Sequence, residues 1–498
     1  MNILLYDTGD VRGELNEPIG IEILATHAYK RFGNTISIDL KWYNFDKFDF
    51  DPSHYDIIGI SIHINGMPVF EKLCSFCYDS GFCGLMIAGN SVATFAYEQL
   101  LAKHPSLICS LGEGEGTFPE LVNYKMGGLV DLSSIHNIAY VLNGKIVLTQ
   151  RETFDMQEYI PPLRPFAKQI KNKNGIIRIE GSRGCVWNKC SFCGAAHKYN
   201  YSGWRPAKID VIIEQLISLS GLGLNNVYFC DEDFIGNDTK RFSELVQQID
   251  MHMKDGAISP NMGFFISVKP NDLLNPDNIL TIKSFMKCGL KDLFTGIESG
   301  CENQLKRYNK CSNKKINTIA INKMRELESD GLMIDIGFIF FDYYMTPADV
   351  EENLQFIEDN KLYTFASSLI KPLRIQPYTK TFENTPEVHE NEFSVDDLFY
   401  KYSFADCTVN NIYKAYNELR LENIAHNLQS VYRRDMADPK DRSISQDSLL
   451  KLRFLEYQAI RTIADYYLYN TLSLHQLQNN LCTIKINALN LLKDQTQR

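Results

Sequence analysis

The stretch Gly184–Gly194, GCVWNKCSFCG, decides how the rest of the chain is read. Its cysteines, Cys185, Cys190 and Cys193, crowd into one short loop after the strand-like Ile176–Glu180. Thiolates are the usual protein ligands of iron–sulfur clusters, and so short a loop lets three of them converge on one cluster face. Three thiolates hold three irons of a cubane and leave the fourth iron open to a chelating substrate. A second ligand set is also legible, because His197 follows Cys193 with three residues between them. Cys185, Cys190, Cys193 and His197 would then form a structural zinc knuckle. The loop lies between the first strand and first helix of a barrel-like series, whereas structural zinc usually braces a small domain; the context favours the cluster.

The other cysteines of the 13 lie apart or in loose pairs such as Cys74 and Cys77. Scattered cysteines in a long chain behave as small hydrophobes, whereas a tight group binds metal. Disulfides are not expected. With 498 residues, 44% hydrophobic and 12% aromatic, the chain has material for several buried cores. A net charge of −10 argues against a nucleic-acid surface, which needs clustered Lys and Arg. No apolar run is long enough to span a bilayer. The N-terminal MNILLYDTGD reads as a strand and an acidic loop rather than a signal peptide, so a cytoplasmic location is expected.

Outward from the cysteine loop, strand-like segments alternate with helix-like ones. Asn226–Cys230, Gly263–Val268, Asp292–Ile297, Ile334–Phe341 and Leu369–Gln376 join Ile176–Glu180 as six strands, with Ile209–Leu219 as the first intervening helix. This predicts a partial (β/α)6 barrel over 173–390, with its chemistry at the carboxyl ends of the strands. Upstream, Ile3–Tyr6, Ile36–Leu40, Asp56–Ser61, Leu85–Ala88 and Leu107–Leu111 alternate with helices at Ile19–Arg31, Val69–Tyr78 and Ser91–Leu101. Residues 1–130 are therefore expected to form an α/β, doubly wound, parallel-sheet domain that binds ligand at its strand ends. The pattern weakens over 131–172, where PPLRP (Pro161–Pro165) marks a linker. Residues 391–498 lose strand character and form a helical C-terminal domain, with apolar residues at helical intervals over Leu449–Leu474.

Further motifs carry a family resemblance. Arg178–Leu216 resembles the start of a radical SAM domain. YFCDEDF (Tyr228–Phe234), FTGIESG (Phe294–Gly300), GFIFFDYYMTPADVEEN (Gly337–Asn353) and LRIQPYTKT (Leu373–Thr381) resemble that family's later strand motifs, in the family's order. The resemblance implies a 4Fe–4S cluster on Cys185, Cys190 and Cys193. It implies S-adenosylmethionine beside it, with Asp231 near the amino group, Glu298 at the ribose hydroxyls and Phe192 near the adenine. Read without the resemblance, Phe192 is a hydrophobic loop anchor. The chain departs from the common pattern by setting four residues, Val186 to Lys189, between its first two cysteines where most members have three.

Residues 1–125 alone would suit nucleotide, flavin or cobalamin. The succession YDIIGISI (Tyr55–Ile62), MIAGNSVATF (Met86–Phe95) and LGEGEGTFPELV (Leu111–Val122) resembles the cobalamin-binding domain upstream of many radical SAM cores. It implies that Ser61, Gly89, Asn90, Ser91, Gly112, Glu113 and Gly114 line the groove for the dimethylbenzimidazole tail and corrin edge. Glu113 and Glu115 also suit capping of a helix that begins near Thr117. The first loop, DTGDVRGELNEP (Asp7–Pro18), lacks the histidine with which methionine-synthase-like domains ligate cobalt, and His27 and His63 read as packed or hydrogen-bonded side chains.

As implied by the resemblance, one SAM supplies a methyl group to the corrinoid and a second is cleaved to a 5′-deoxyadenosyl radical, so that an unactivated carbon is methylated. Rearrangement, ring contraction or cross-linking are the alternatives with the same cofactors, and a zinc-braced cobalamin sensor is the alternative of another class. The implied partners are a flavodoxin or ferredoxin as electron donor and, as substrate, a small natural-product intermediate or a peptide. Cys190–Leu216 is similar to peptide-maturing radical SAM proteins. Tyr466, Tyr467 and Tyr469 then either close the barrel mouth or belong to the core, and Lys189 and Arg205 are candidates to meet carboxylates of substrate or SAM.

Overall fold

The first strand, β1 (Asn2–Asp7), is buried from Ile3 onward because it runs through the middle of a sheet covered on both faces. With β2 (Ser37–Trp42), β3 (Ile57–Ser61), β4 (Leu85–Gly89), β5 (Ile108–Ser110), β6 (Ile138–Leu142) and β7 (Lys145–Leu148) it forms a sheet of order β2-β1-β3-β4-β5-β6-β7. β1 to β5 are parallel, as a doubly wound domain requires. The computed structural model describes all residues except 10–14, 46, 129–130, 174, 436–438 and 497–498, so part of the histidine-free first loop lies outside the described residues. Among the described residues, no helix is long and apolar enough to cross a membrane.

The expected linker needs correction. Its first part supplies β6 and β7, which extend the N-terminal sheet antiparallel to β5 and to each other. They are joined by Asn143-Gly144, whose φ angles of 51° and 75° give the doubly left-handed turn that suits a two-residue hairpin. The N-terminal layer therefore reaches Leu148 rather than residue 130. The helix expected over Ser91–Leu101 is also two helices, Asn90–Phe95 and Tyr97–Lys103, broken at Ala96.

The second sheet contains β8 (Ile177–Ile179). A short antiparallel pair, β9 (Ser182–Arg183) with β10 (Arg205–Pro206), brackets the cysteine loop. β11 (Asn226–Phe229), β12 (Gly263–Val268), β13 (Leu290–Glu298) and β14 (Met333–Phe338) complete a parallel sheet of order β14-β13-β12-β11-β8. The sixth strand expected over Leu369–Gln376 is reduced to one parallel bridge, Phe341 to Pro372. Pro372 has no N–H with which to extend a ladder. Beside β14 the wall continues as irregular chain. Ser367 Oγ accepts from Ile336 N at 2.7 Å, and Arg453 Nε donates to the Ala366 carbonyl at 2.8 Å.

Arg453 belongs to the helix Pro439–Tyr469, one of four C-terminal helices with Cys407–Glu418, Leu421–Asp435 and Leu474–Thr496. Tyr466 and Tyr467 pack against the main core, which runs without interruption from Ile3 and Leu5 through Phe264 and Leu293 to Ile460 and Ile463. These two tyrosines are core side chains, not a lid.

One buried ionic node joins the two sheets. Arg183, 5% exposed at the end of β9, donates to Glu113 Oε1 (2.8 Å), Glu115 Oε1 (2.5 Å) and Glu180 Oε2 (2.6 Å). Arg205 Nη2 also donates to Glu113 Oε1 at 3.1 Å, and the Phe154 amide donates to Glu113 Oε2 at 3.0 Å. The Glu113 carboxylate is thus engaged between domains and does not line a groove. Glu115 lies two residues before the helix Thr117–Lys125, whose N-cap is Gly116, and its carboxylate is held by Arg183. Burial alone would raise the Glu115 carboxyl, but the charge and hydrogen bond of Arg183 hold it below its ordinary value.

Removing one partner from such a node strands the others in low dielectric, so Arg183→Met is expected to cost about 3–5 kcal/mol in denaturant unfolding. The pH dependence should also invert. In the native protein the Glu115 contribution is complete above the carboxyl's unfolded value and is lost as pH falls through its lowered folded value. In the variant the stranded carboxyls have raised values, so stability should increase as pH is lowered from about 8 to 5. Equal slopes in the two proteins would show that the node contributes nothing.

Candidate active site

The cysteine loop leaves β9 through Gly184, at φ +79°, where a Cβ would lie 2.0 Å from the Gly203 carbonyl oxygen; only glycine fits. Gly184 N donates to Glu232 Oε2 (3.1 Å) and Val186 N to Asp233 Oδ2 (3.1 Å). Asn188, at φ +48°, lies in the longer spacer between the first two cysteines. Beside it, the Trp187 indole donates to the Asn309 carbonyl (2.7 Å) and Asn309 Nδ2 to the Lys189 carbonyl (2.9 Å). Ser191 is clamped from two sides: its N and Oγ donate to the Tyr308 and Arg307 carbonyls, and its own carbonyl accepts from Thr381 N, each at 2.8 Å. The loop is held at both ends and in its middle by hydrogen bonds to the chain around it.

Cys185, Cys190 and Cys193 are free, half-buried thiols. Burial pushes Cys185 up to about 11, Cys190 up to about 12, and raises Cys193. The ammonium of Lys310 opposes this at Cys190 and Cys193, and that of Lys269 at Cys185. Both cations are anchored: Lys269 by Asp233 at 2.6 Å and Lys310 by Glu298 at 3.0 Å. Fixed cations of this kind suit the negative charge of three thiolates on an iron–sulfur cluster.

The zinc alternative fits poorly. Zinc–sulfur bonds of about 2.3 Å would draw the sulfurs to within roughly 4 Å of one another. Among the described residues no three His, Cys, Asp or Glu side chains converge on a single ion in that way. His197 is engaged elsewhere, its ring stacked on Tyr378 at 4.6 Å and packed on Phe95 at 5.4 Å. Burial and the Arg151 charge push it down to about 4. With His197 packed between aromatic rings, the three thiols remain as the donor set, which suits a cluster.

Glu298 ends β13 in a left-handed conformation, φ +64°, where the pairing with β14 slips. Its carboxylate lies over Gly296 and Gly337, whose added Cβ atoms would approach it to 2.2 and 3.3 Å. Asp231 is different from its expectation. It is 3% exposed and turned into the wall, accepting from Gly181 N (2.9 Å) and Ser182 Oγ (2.5 Å), and burial pushes its carboxyl up to about 8. The neighbouring Glu232 acts on Cys193 and accepts from the Tyr199 hydroxyl at 2.9 Å. Strand parity carries that signal: Val227 and Phe229 are buried in the helix-facing core, and Asp231 continues their side while Glu232 continues that of Tyr228 and Cys230. Phe192 packs on Tyr308 at 5.1 Å in a small apolar cluster with Leu373 and Ile375, as a loop anchor would. Lys189 lies over the Trp187 ring, and Arg205 is engaged by Glu113 and the Phe154 carbonyl.

On the N-terminal sheet, Ser61, Gly89, Asn90 and Ser91 come together at the carboxyl ends of β3 and β4. Asn90, at φ +72°, donates to Ser61 Oγ (3.1 Å) and accepts from Ser91 N (2.7 Å), and a Cβ on Gly89 would meet nothing within 4 Å. That open, polar edge suits a large planar ligand. Gly112 and Gly114 are also required by packing: a Cβ there would collide with Arg151 Nη2 and the Lys198 carbonyl at 2.5 Å, and with Leu24 at 2.9 Å. His63 Nε2 lies 2.8 Å from Asp7 Oδ2, and His27 packs edge-on against Phe154 at 5.2 Å. The short helix Asn90–Phe95, which starts at that edge, ends against the cysteine loop. A Cβ on Gly194 would sit 2.9 Å from the Phe95 ring, and Tyr97 stacks on Tyr378 at 6.0 Å.

No family model matches the chain. Its backbone matches, over 100% of its length and 80% of the other chain, the cobalamin-dependent S-adenosylmethionine radical enzyme OxsB, solved with aqua-cobalamin and S-adenosylmethionine bound, at a TM-score of 0.78 and 20% identity. The chain has the fold of the cobalamin-dependent radical SAM enzymes. A second member of that fold is the radical S-adenosylmethionine methyltransferase TsrM of Kitasatospora setae, solved with cobalamin and a 4Fe–4S cluster bound. It matches 78% of this chain and 74% of its own at a TM-score of 0.62 and 13% identity. Among curated proteins, 4'-phospho-dehydrooxetanocin synthase of Priestia megaterium is 28% identical over 347 residues, 66% of this chain. The chain spans only 45% of that relative's length.

For a radical SAM fold, the three cysteines and not His197 should govern metal content. After anaerobic reconstitution, the triple variant Cys185→Ala, Cys190→Ala, Cys193→Ala is expected to carry neither iron nor sulfide, and His197→Ala to retain both. Loss of stoichiometric zinc from His197→Ala would restore the knuckle.

Proposed function

We propose that the chain is a cobalamin-dependent radical SAM enzyme that generates a 5′-deoxyadenosyl radical and methylates an unactivated carbon of its substrate. The observation that carries this reading is the packing of Gly194, at the end of the cysteine loop, on Phe95, the last residue of the short helix that begins at the open edge formed by Ser61, Gly89, Asn90 and Ser91. Cys185, Cys190 and Cys193 would hold the cluster, and Ser61, Asn90 and Ser91 the corrinoid. When bound, these groups supply one-electron cleavage of SAM and methyl transfer, while the protein contributes position, charge and exclusion of water.

The chain's own side chains suit SAM. Glu232, half-buried and bonded to the cysteine loop at Gly184 N, is a carboxylate for an ammonium group. Glu298, preset by its left-handed backbone and by Lys310, is an acceptor for paired ribose hydroxyls. Removing a charged acceptor from such a pair costs about 1.5–3 kcal/mol. Glu298→Gln should accordingly weaken SAM binding roughly 10- to 100-fold by calorimetry, with iron content unchanged. A reduced flavodoxin or ferredoxin in the cytoplasm would provide the electron.

A second reading, rearrangement without methyl transfer, uses the same cofactors, and the 347-residue likeness is to a protein named as a synthase, 4'-phospho-dehydrooxetanocin synthase. Product stoichiometry separates the two. Methylation predicts one S-adenosylhomocysteine and one 5′-deoxyadenosine per product, and rearrangement predicts 5′-deoxyadenosine alone. Failure to form 5′-deoxyadenosine with a loaded cluster would defeat both.

A further inference from the structure

The concave side of the barrel sheet carries side chains that the cofactor reading leaves unassigned. Ile177, Val227, Phe264, Leu293 and Ile334 are buried in the helix-facing core. Alternation along each strand therefore turns their neighbours inward. The strand registers set Arg178, Tyr228, Phe265, Asp292 and Met333 side by side in one layer across β8, β11, β12, β13 and β14. One layer nearer the cysteine loop are Ser267, Phe294 and Asp335, followed by the paired Gly296 and Gly337 beneath Glu298. Tyr228 and Phe294 are 36% and 37% exposed although they sit mid-sheet, so they border open space within the lumen. The lower end is braced where the Tyr432 hydroxyl donates to Met333 Sδ at 3.6 Å.

The polar groups of this layer are not neutralised by each other. Among the described residues, Arg178 makes no ion pair and its Nε is buried without a hydrogen-bond partner, while its backbone alone is held, by Glu17 and Arg164. Asp292 has no donor among the described residues, and burial with the nearby Asp335 pushes it up to about 8. Arg178 and Asp292 stand three strand spacings apart, about 14 Å along the sheet. Between them lie Tyr228 and Phe265, with ring centroids 6.5 Å apart and 29° between planes. A guanidinium without a carboxylate partner binds a phosphate or carboxylate through paired hydrogen bonds. Flat aromatic side chains beside it suit a planar ring.

We propose that the lumen selects a small, ring-bearing substrate whose anionic group, phosphate or carboxylate, docks on Arg178 while its ring lies against Tyr228 and Phe265. This rests on the radical SAM reading for what is then done to the substrate, but binding is measurable without turnover. Phenyl phosphate, phenylacetate and benzyl alcohol share a ring and differ in the anion, so calorimetry on the reconstituted holoenzyme with SAM tests the assignment. At least one anion should bind about tenfold or more tightly than the alcohol, and the preferred anion identifies the group. Arg178→Met should abolish the preference, Arg178→Lys should keep part of it, and unchanged iron content would show that both variants are folded. Tyr228→Ala should weaken all three probes. No preference for either anion, a preference that survives Arg178→Met, or tighter binding of an end-blocked peptide than of both anions would overturn the proposal. Anion preference without 5′-deoxyadenosine formation would instead fail the radical reading and leave the pocket assignment standing.

Discussion

The guanidinium of Arg183 stands two residues before Cys185 and is shared by Glu113, Glu115 and Glu180. Glu113 and Glu115 come from the glycine-rich turn of the N-terminal sheet, and Glu180 and Arg183 from the start of the barrel. A charge this buried has no alternative partner in water, so the relative position of the two sheets is fixed where the two cofactor sites must face each other. Stacking of Tyr378 on both His197 and Tyr97 adds an apolar second seam close by. Charge defines the register of the halves and aromatic packing excludes water from the joint.

The cysteine loop is held by a similar division of labour. Its backbone is tied to the turn at Arg307–Asn309 and to Thr381, segments far apart in the chain but adjacent at the barrel mouth. Its electrostatics come from Lys269 and Lys310, each pinned by a carboxylate. Loop conformation and local charge are set by different residues.

Much of this was legible in the sequence because it rests on local patterns. The cysteine spacing, the alternation of apolar strands and helices, and the glycine-containing strand ends all leave marks within a few residues. What was misread depends on direction or on distant partners. Asp231 and Glu232 are adjacent acids, and only strand parity separates the one in the wall from the one beside Cys193. Gly112 and Gly114 carry a packing demand that their motif does not reveal, since their small size admits Arg151, Lys198 and Leu24. Glu113 found its partners on a strand seventy residues later. The hairpin at Asn143-Gly144 was the exception, since its turn dipeptide is a local signal that the weak strand pattern around it obscured.

The single bridge at Pro372 has a wider meaning. A wall that ends in irregular chain, pinned by Ser367 and Arg453 rather than by a continuous ladder, is a seam whose gauge depends on side chains of the C-terminal helices. Substitutions there can widen or narrow the reaction chamber while the five-stranded scaffold and its metal loop stay as they are.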